Sequence, residues 1–428
     1  MKALITGILI SLIPFTSYSQ LTIEECVRKA EANYPIIKKY ELLDASLDID
    51  LSEINKAWLP KLGVYGQATS QNIVPSFPKT LTGVLNQMGQ EVKGLSKIQY
   101  KTGADLTQPI WDGGASRARR EMARANDAVR KSSIEVELYA VRQRVESVYF
   151  AILLTEEQIA QNEVTHNLLI QNLEKIRVMQ KNGVAMQSDA DMIEAQALTV
   201  SQSIIHAKSA ADSYRKMLEI FIGENTGGKY MAKPTGALNY HYNKECNRPE
   251  MRLFTNRLAV NQAANRLSNV SYMPVVGLFA QAYYGYPGFD YFKSMMSREL
   301  SFNFLAGVKI SWNIDSFYSR KNNSIRASVN AGDIEADKEM FLFNTALQSA
   351  SQTETIAGLR EVMKEDEKII ALRKRVRRAA EAQLENGIID ATALLTKISD
   401  ESIAQLNAKL HEIQLLKEIY NLKSILNQ

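Results

Sequence analysis

Few residues of this 428-residue chain are spaced for chemistry. Its four histidines, His166, His206, His241 and His411, are scattered, and no two share the i, i+4 spacing that would aim both rings at one metal. Asp112-Gly113-Gly114 has the glycines of a phosphate-cradling loop but no accompanying lysine, so it reads as a turn. The 14 methionines are dispersed and read as core filler rather than a metal relay. Cys26 and Cys246 either pair in an oxidising compartment or remain separate thiols in small-residue niches, and the sequence leaves both open. The balance of 51 basic and 47 acidic residues gives no warrant for a nucleic-acid partner. Catalytic residues, cofactor-binding residues and metal ligands are therefore assigned to none. What remains is a group of carboxylates beside two turns, Asp189, Asp191 and Asp390. In a helix's first turn such acids complement the dipole, and Ser188 and Asp390 have the chemistry of caps.

The elements that carry these turns occur twice. Asn33-Tyr34-Pro35 recurs as Asn247-Arg248-Pro249, and Trp58-Leu59-Pro60 as Tyr272-Met273-Pro274, both at a shift of 214. Asp112 matches Asp315 at 203, and Asn182-Gly183 matches Asn386-Gly387 at 204. A period this long is a duplicated half rather than a solenoid repeat. Residues 1–19 read as an export signal: Lys2, an apolar run from Ala3 to Phe15, then Ser17-Tyr18-Ser19 before Gln20. The first repeat then spans 20–222, a linker or equatorial segment 223–249, and the second repeat 250–428.

Each repeat changes period along its length. Thr22-Ile23-Glu24-Glu25 opens a short helix with a capping-box pattern, and Pro35 breaks it by removing an amide donor. Strands are expected near 62–70, 99–110, 275–284 and 301–312. The last alternates most cleanly, with Phe302, Phe304, Ala306, Val308, Ile310 and Trp312 on one face and Ser301, Asn303, Lys309 and Ser311 on the other. Connections rich in Pro, Gly and aromatics, 71–98 and 285–300, join the strands of each pair. Long helices follow. Ser116–Lys181 contains neither proline nor glycine, and 66 residues make a rod of roughly 100 Å. Its heptad seam runs through Ile134, Val141, Val145, Val148, Ile152, Leu169, Leu173 and Ile176. A weaker seam between Ser319 and Glu385 includes Leu359, Val362, Ile369 and Val376. Return helices run over 188–221 and from 391 onward.

Four amphipathic strands cannot close a barrel alone, and open edges are not viable in lipid. Copies of the chain must supply the rest: two copies give eight strands and a filled interior, three give twelve and room for a pore. The alternative is a soluble periplasmic coiled-coil adaptor or scaffold with a small sheet at one end. The export signal and the Phe/Trp-rich strand face weigh against it.

In this order and in duplicate, the motifs resemble those of the TolC family of outer-membrane efflux proteins. The resemblance rests on Asn-x-Pro after the first helix, the Trp-Leu-Pro corner, Gln108-Pro109-Ile110-Trp111-Asp112-Gly113-Gly114, Arg248-Pro249-Glu250 and Ser311-Trp312-Asn313-Ile314-Asp315. It implies a mainly α-helical protein with a membrane β-barrel, a homotrimer whose twelve-stranded barrel continues as a periplasmic α-helical tunnel. It further implies a passive exit duct for efflux or type I secretion, not an enzyme. The implied partners are a periplasmic adaptor (membrane fusion protein), an inner-membrane RND, ABC or similar transporter, and outer-membrane lipid. On that reading Gly183, Val184, Gly387 and Ile388 form adaptor-contacting tips, and Asp189, Asp191 and Asp390 form carboxylate rings at a periplasmic aperture that favour cations. Phe302, Phe304, Val308, Ile310 and Trp312 face lipid. Asn313 and Ser316-Phe317 depart from the family's usual proline and glycine pair at the second strand-to-helix junction.

Overall fold

A computed structural model of the protein describes residues 20–227, 231–239 and 245–428; residues 1–19, read above as an export signal, and His241 lie outside them. The chain runs α1 (Ile23–Asn33), α2 (Lys38–Lys56), β1 (Lys61–Ser70), α3 (Lys79–Gln87), β2 (Ile98–Trp111), α4 (Ala115–Lys181) and α5 (Gln187–Ile222). It continues through α6 (Pro249–Val270), β3 (Val275–Tyr286), α7 (Tyr291–Met296), β4 (Ser301–Ser311), α8 (Phe317–Glu385) and α9 (Ala391–Leu426). The order helix, strand, short helix, strand, long helix, return helix thus appears twice. Among the described residues, no helix is long and apolar enough to cross a membrane.

Local chemistry explains most boundaries. Thr22 caps α1, its hydroxyl accepting from the Glu25 amide at 3.3 Å. Pro35 starts a short 3-10 turn over Pro35–Ile37, and its counterpart Pro249 opens α6, where a missing amide costs nothing. Asp112 ends β2 and starts α4: its carboxylate accepts from the Gly114 and Ser116 amides at 3.0 and 2.6 Å. Gly113 there has φ of +67°, so the motif is a turn and a cap. The connections 71–98 and 285–300, rich in Pro, Gly and aromatics, carry the short helices α3 and α7. Asp290 caps α7 by accepting from the Lys293 amide at 2.9 Å.

Two compact units emerge, and each draws on both repeats: one takes the chain up to Lys39, Ser133–Met251 and Lys338–Gln428, the other Tyr40–Ser132 and Arg252–Asp337. The second unit holds the sheet. Its order is β1-β2-β3-β4, antiparallel throughout, with one register shift between Pro109 and Trp111. Beside it the connections build a small core from Leu95, Tyr286 and Met295, packed by Val74 and Phe77. The Tyr286 hydroxyl accepts from the Ser96 amide and donates to the Ser294 carbonyl, both at 3.0 Å.

The first unit is helical and has two cores. One gathers Tyr149, Phe150 and Ile152 of α4, Ile413, Leu416 and Ile419 of α9, and Ile23 and Cys26 of α1. The segment read as a linker contributes to this core through Met231 and Ala237, and Met231 bridges Leu21. The other core lies near the turns, with Leu169, Leu173 and Ile176 of α4 against Ile193, Leu384, Leu394 and Ile398. Each such fully buried aliphatic or phenyl side chain contributes about 1.5–3 kcal/mol. The α4 seam is largely buried. The α8 seam is not: Val362, Ile369 and Val376 are exposed, and α8 closes the two cores through Ile356, Ala380 and Leu384 instead. The apolar positions on α8 exceed what one chain can cover, so one row is left facing outward. Both cysteines are free thiols, Cys26 buried, which settles the pairing left open by the sequence.

Candidate functional site

The two turns between long and return helices share one backbone construction. Gly183 and Gly387 have φ of +76° and +68°. The Gly183 amide donates to the Gln180 carbonyl and the Val184 amide to Met179, both at 2.9 Å. The second turn repeats this, with Gly387 to Leu384 at 2.9 Å and Ile388 to Gln383 at 2.8 Å. This paired set of bonds satisfies the last helical carbonyls and requires a left-handed residue. The next side chains project into solvent: Val184 is 63% and Ile388 69% exposed.

At both glycines an added Cβ would meet nothing within 4 Å, so any cost of substitution is conformational alone. Gly183→Ala and Gly387→Ala should each destabilise the turn by about 1–2 kcal/mol, and the asparagine variants by less. Hydrogen exchange of the amides from 179 to 190 measures this; equal rates in the parent, alanine and asparagine forms would contradict it.

Asp189 and Asp390 are capping groups, and the two turns divide the labour. In the first, the Met186 amide donates to Asp189 Oδ2 at 2.9 Å. In the second, the Ala393 amide donates to Asp390 Oδ1 at 2.8 Å. Together they are the two halves of a capping box, one in each repeat. Ser188 is not a cap, because α5 begins at Gln187 and places it inside the first turn. Asp191 accepts from the Gln187 side chain at 2.6 Å. One Asp at each turn is thus held in place by a backbone amide.

Above the turns, polar side chains bind α4, α8 and α9 together. Arg377 lies between Glu381 and the buried Glu401, and Arg373 reaches Asp400 at 2.7 Å. Gln161 donates to Gln405 at 2.8 Å. Sequence reading missed this group, whose only signal was five charged positions, Arg373, Arg377, Glu381, Asp400 and Glu401, on α8 and α9.

The sheet is divided by chemistry. Strand pairing sets Val276, Leu278, Ala280, Ala282 and Tyr284 opposite Ile310, Val308, Ala306, Phe304 and Phe302. Leu62, Val64, Ala104 and Leu106 continue that face across β1 and β2. It carries no charged residue, and Val308 on it is 62% exposed. The opposite face holds Tyr65, whose hydroxyl accepts from Gln281 at 3.0 Å, and Lys101, which lies over the Tyr283 ring. Trp312 lies just past the end of β4, about half exposed, and its indole donates to the Tyr272 carbonyl at 3.0 Å. An aromatic ring with one apolar side and a satisfied polar tip suits the border of an apolar layer.

A cavity of about 450 Å³ lies between α1, α4 and α9, lined by Glu24, Arg28, Glu31, Arg142, Glu146 and Lys423 among others. Burial pushes Glu146 up to about 7, against a hydrogen bond from the Ser424 hydroxyl and the charges of Arg142 and Lys423. Among the described residues, no group of three or more His, Cys, Asp or Glu is placed to hold a metal ion.

No protein-family model and no curated protein sequence matches the chain. Solved structures do. The outer-membrane protein VceC of Vibrio cholerae aligns with 94% of this chain and 94% of its own, at a TM-score of 0.64 and 11% identity. The CmeC outer-membrane channel of Campylobacter jejuni aligns over 94% of this chain and 85% of its own, at 0.63 and 13%. The open state of the MtrE outer-membrane channel of Neisseria gonorrhoeae aligns over 94% and 88%, at 0.61 and 13%. Identities this low speak for the fold alone. A duplicated strand pair and helical hairpin, traced through nearly the whole chain, gives this protein the fold of the TolC-type outer-membrane channels.

Proposed function

We propose that the protein is an outer-membrane channel, the passive exit duct of a tripartite efflux or type I secretion system. The observation that carries this reading is the sheet: one face without a charge, the other polar, and β1 and β4 left as open edges. An unpaired edge in hydrocarbon costs several kcal/mol per orphaned group, so the strands must be continued by another copy. Three chains supply twelve strands, enough to enclose a pore. The exposed row of Val362, Ile369 and Val376 on α8 offers these copies a helical contact as well.

In this assembly Phe302, Phe304, Val308, Ile310 and Trp312 meet lipid, and the long helices extend into the periplasm. Gly183, Val184, Gly387 and Ile388 present the tips to a periplasmic adaptor, which links the duct to an energised inner-membrane transporter. Asp189, Asp191 and Asp390 line the aperture. The capping bonds of Asp189 and Asp390 and the side-chain bond to Asp191 leave each carboxylate further lone pairs, so a structural role and a ring of charge are compatible. The duct needs no chemistry of its own.

Membranes from expressing cells, run on a gel with and without heating, test the assembly. The unheated protein should migrate near three times the monomer mass and require detergent for extraction. A monomer found in the soluble periplasmic fraction would rule the reading out.

A further inference from the structure

The four strands contain only four charged residues, Lys61, Lys101, Asp105 and Lys309, and the register places all four on one face. Lys61 pairs with Thr107 and Lys101 with Gln67, which sets both on the face of Asp105. Lys309 pairs with Gly277, two residues along β3 from Phe279, which stands opposite Thr107. The face therefore carries three lysines against one aspartate, a net charge of +2 per chain. Among the described residues none of the four forms an ion pair, although Lys101 lies over the Tyr283 ring. Two of the lysines sit at the helix-proximal end, where β1 leaves α2 and β4 enters α8. They also occupy the two edge strands, so that pairing of β4 with β1 of a neighbouring copy brings Lys309 and Lys61 onto adjacent strands.

We infer that this face is an anion-attracting collar and that the duct favours anionic cargo through its barrel section. The inference rests on the channel reading above. Charges on a concave wall of low dielectric raise the local concentration of the opposite ion, and lysine rings favour anions in other pores. The aperture carboxylates would act on cations, so the barrel face adds a selection that the tips do not make.

Planar-bilayer recordings of the full chain test this, with a trivalent metal-cyanide anion added on both sides as a blocker. The parent should be blocked. The double variant Lys61→Gln/Lys309→Gln should need roughly tenfold more blocker, whereas Asp105→Asn, which raises the positive charge, should need less. A parent that the anion does not block, or assembled variants with unchanged block, would overturn the collar. If the double variant fails to assemble, Asp105→Asn alone decides: unchanged block overturns the inference, stronger block supports it. Absence of any conductance from the parent would instead defeat the channel reading itself, a distinct outcome.

Discussion

Val308→Arg is expected to deplete the assembled oligomer, while Ser311→Arg leaves it near parental levels. Val308 stands opposite Leu278 on the face without charges, whereas Ser311 stands opposite Val275 on the face that carries Lys309. An arginine on a lipid-facing barrel position costs about 2–4 kcal/mol near the midplane and less toward either border. Each copy in an assembly bears that cost, so the loss of assembled oligomer is steeper than a single-chain figure implies. An arginine on the other face meets water and costs little. The unheated gel band, quantified against total protein, reads the effect. Equal loss for both variants would mean that neither face meets lipid. Loss for Ser311→Arg alone would mean that the sheet is turned the other way, since side chains alternate at every residue.

Stability should fall as pH rises from 5 to 8, and Glu146→Gln should remove much of that slope. The ordinary value for this carboxyl is 4.5, and burial between α4 and α9 raises it to about 7 in the folded chain. Folding therefore takes up a proton between those values. The stability associated with it is complete below about pH 4.5 and is lost as pH passes through about 7. The full shift would correspond to about 3 kcal/mol; because Glu146 is only partly shielded from solvent, about 2 kcal/mol is the effect to look for. Glutamine copies the neutral acid and can still accept from Ser424, which donates to Glu146 at 2.6 Å. Paired thermal midpoints of parent and variant in detergent, at pH 5 and pH 8, measure the difference. The variant should gain at pH 8 and match the parent at pH 5. Parallel shifts in both proteins would place the sensitivity elsewhere.

Element order, turns and face alternation were legible in the residues because each is governed by neighbours within a few positions. Pro35, Pro249, Gly183 and Gly387 mark ends by their own backbone preferences, and the structure puts the breaks there. The alternation of Phe302 through Ile310 states the two faces of β4 without reference to any other strand. Composition was a poorer guide in the connections, since α3 and α7 are shorter than the window over which a helical period can be counted.

The sequence by itself determined a duplicated plan: strands with one apolar face, long helices closed by glycine turns, and carboxylates where helices restart. Only the tertiary structure decided which of those residues are covered and which stand side by side. Glu146 looks like any polar residue in a heptad until Tyr420 and Ser424, more than 270 positions away, close around it. Val362, Ile369 and Val376 look like core until the packing of α4, α5 and α9 shows that Ile356 and Leu384 fill that place. Lys61, Lys101, Asp105 and Lys309 come onto one face only through strand register, which between β2 and β3 pairs residues more than 150 positions apart. The period of an element is set by local sterics and travels with the sequence; burial and charge proximity are set by what the chain brings back to the same place.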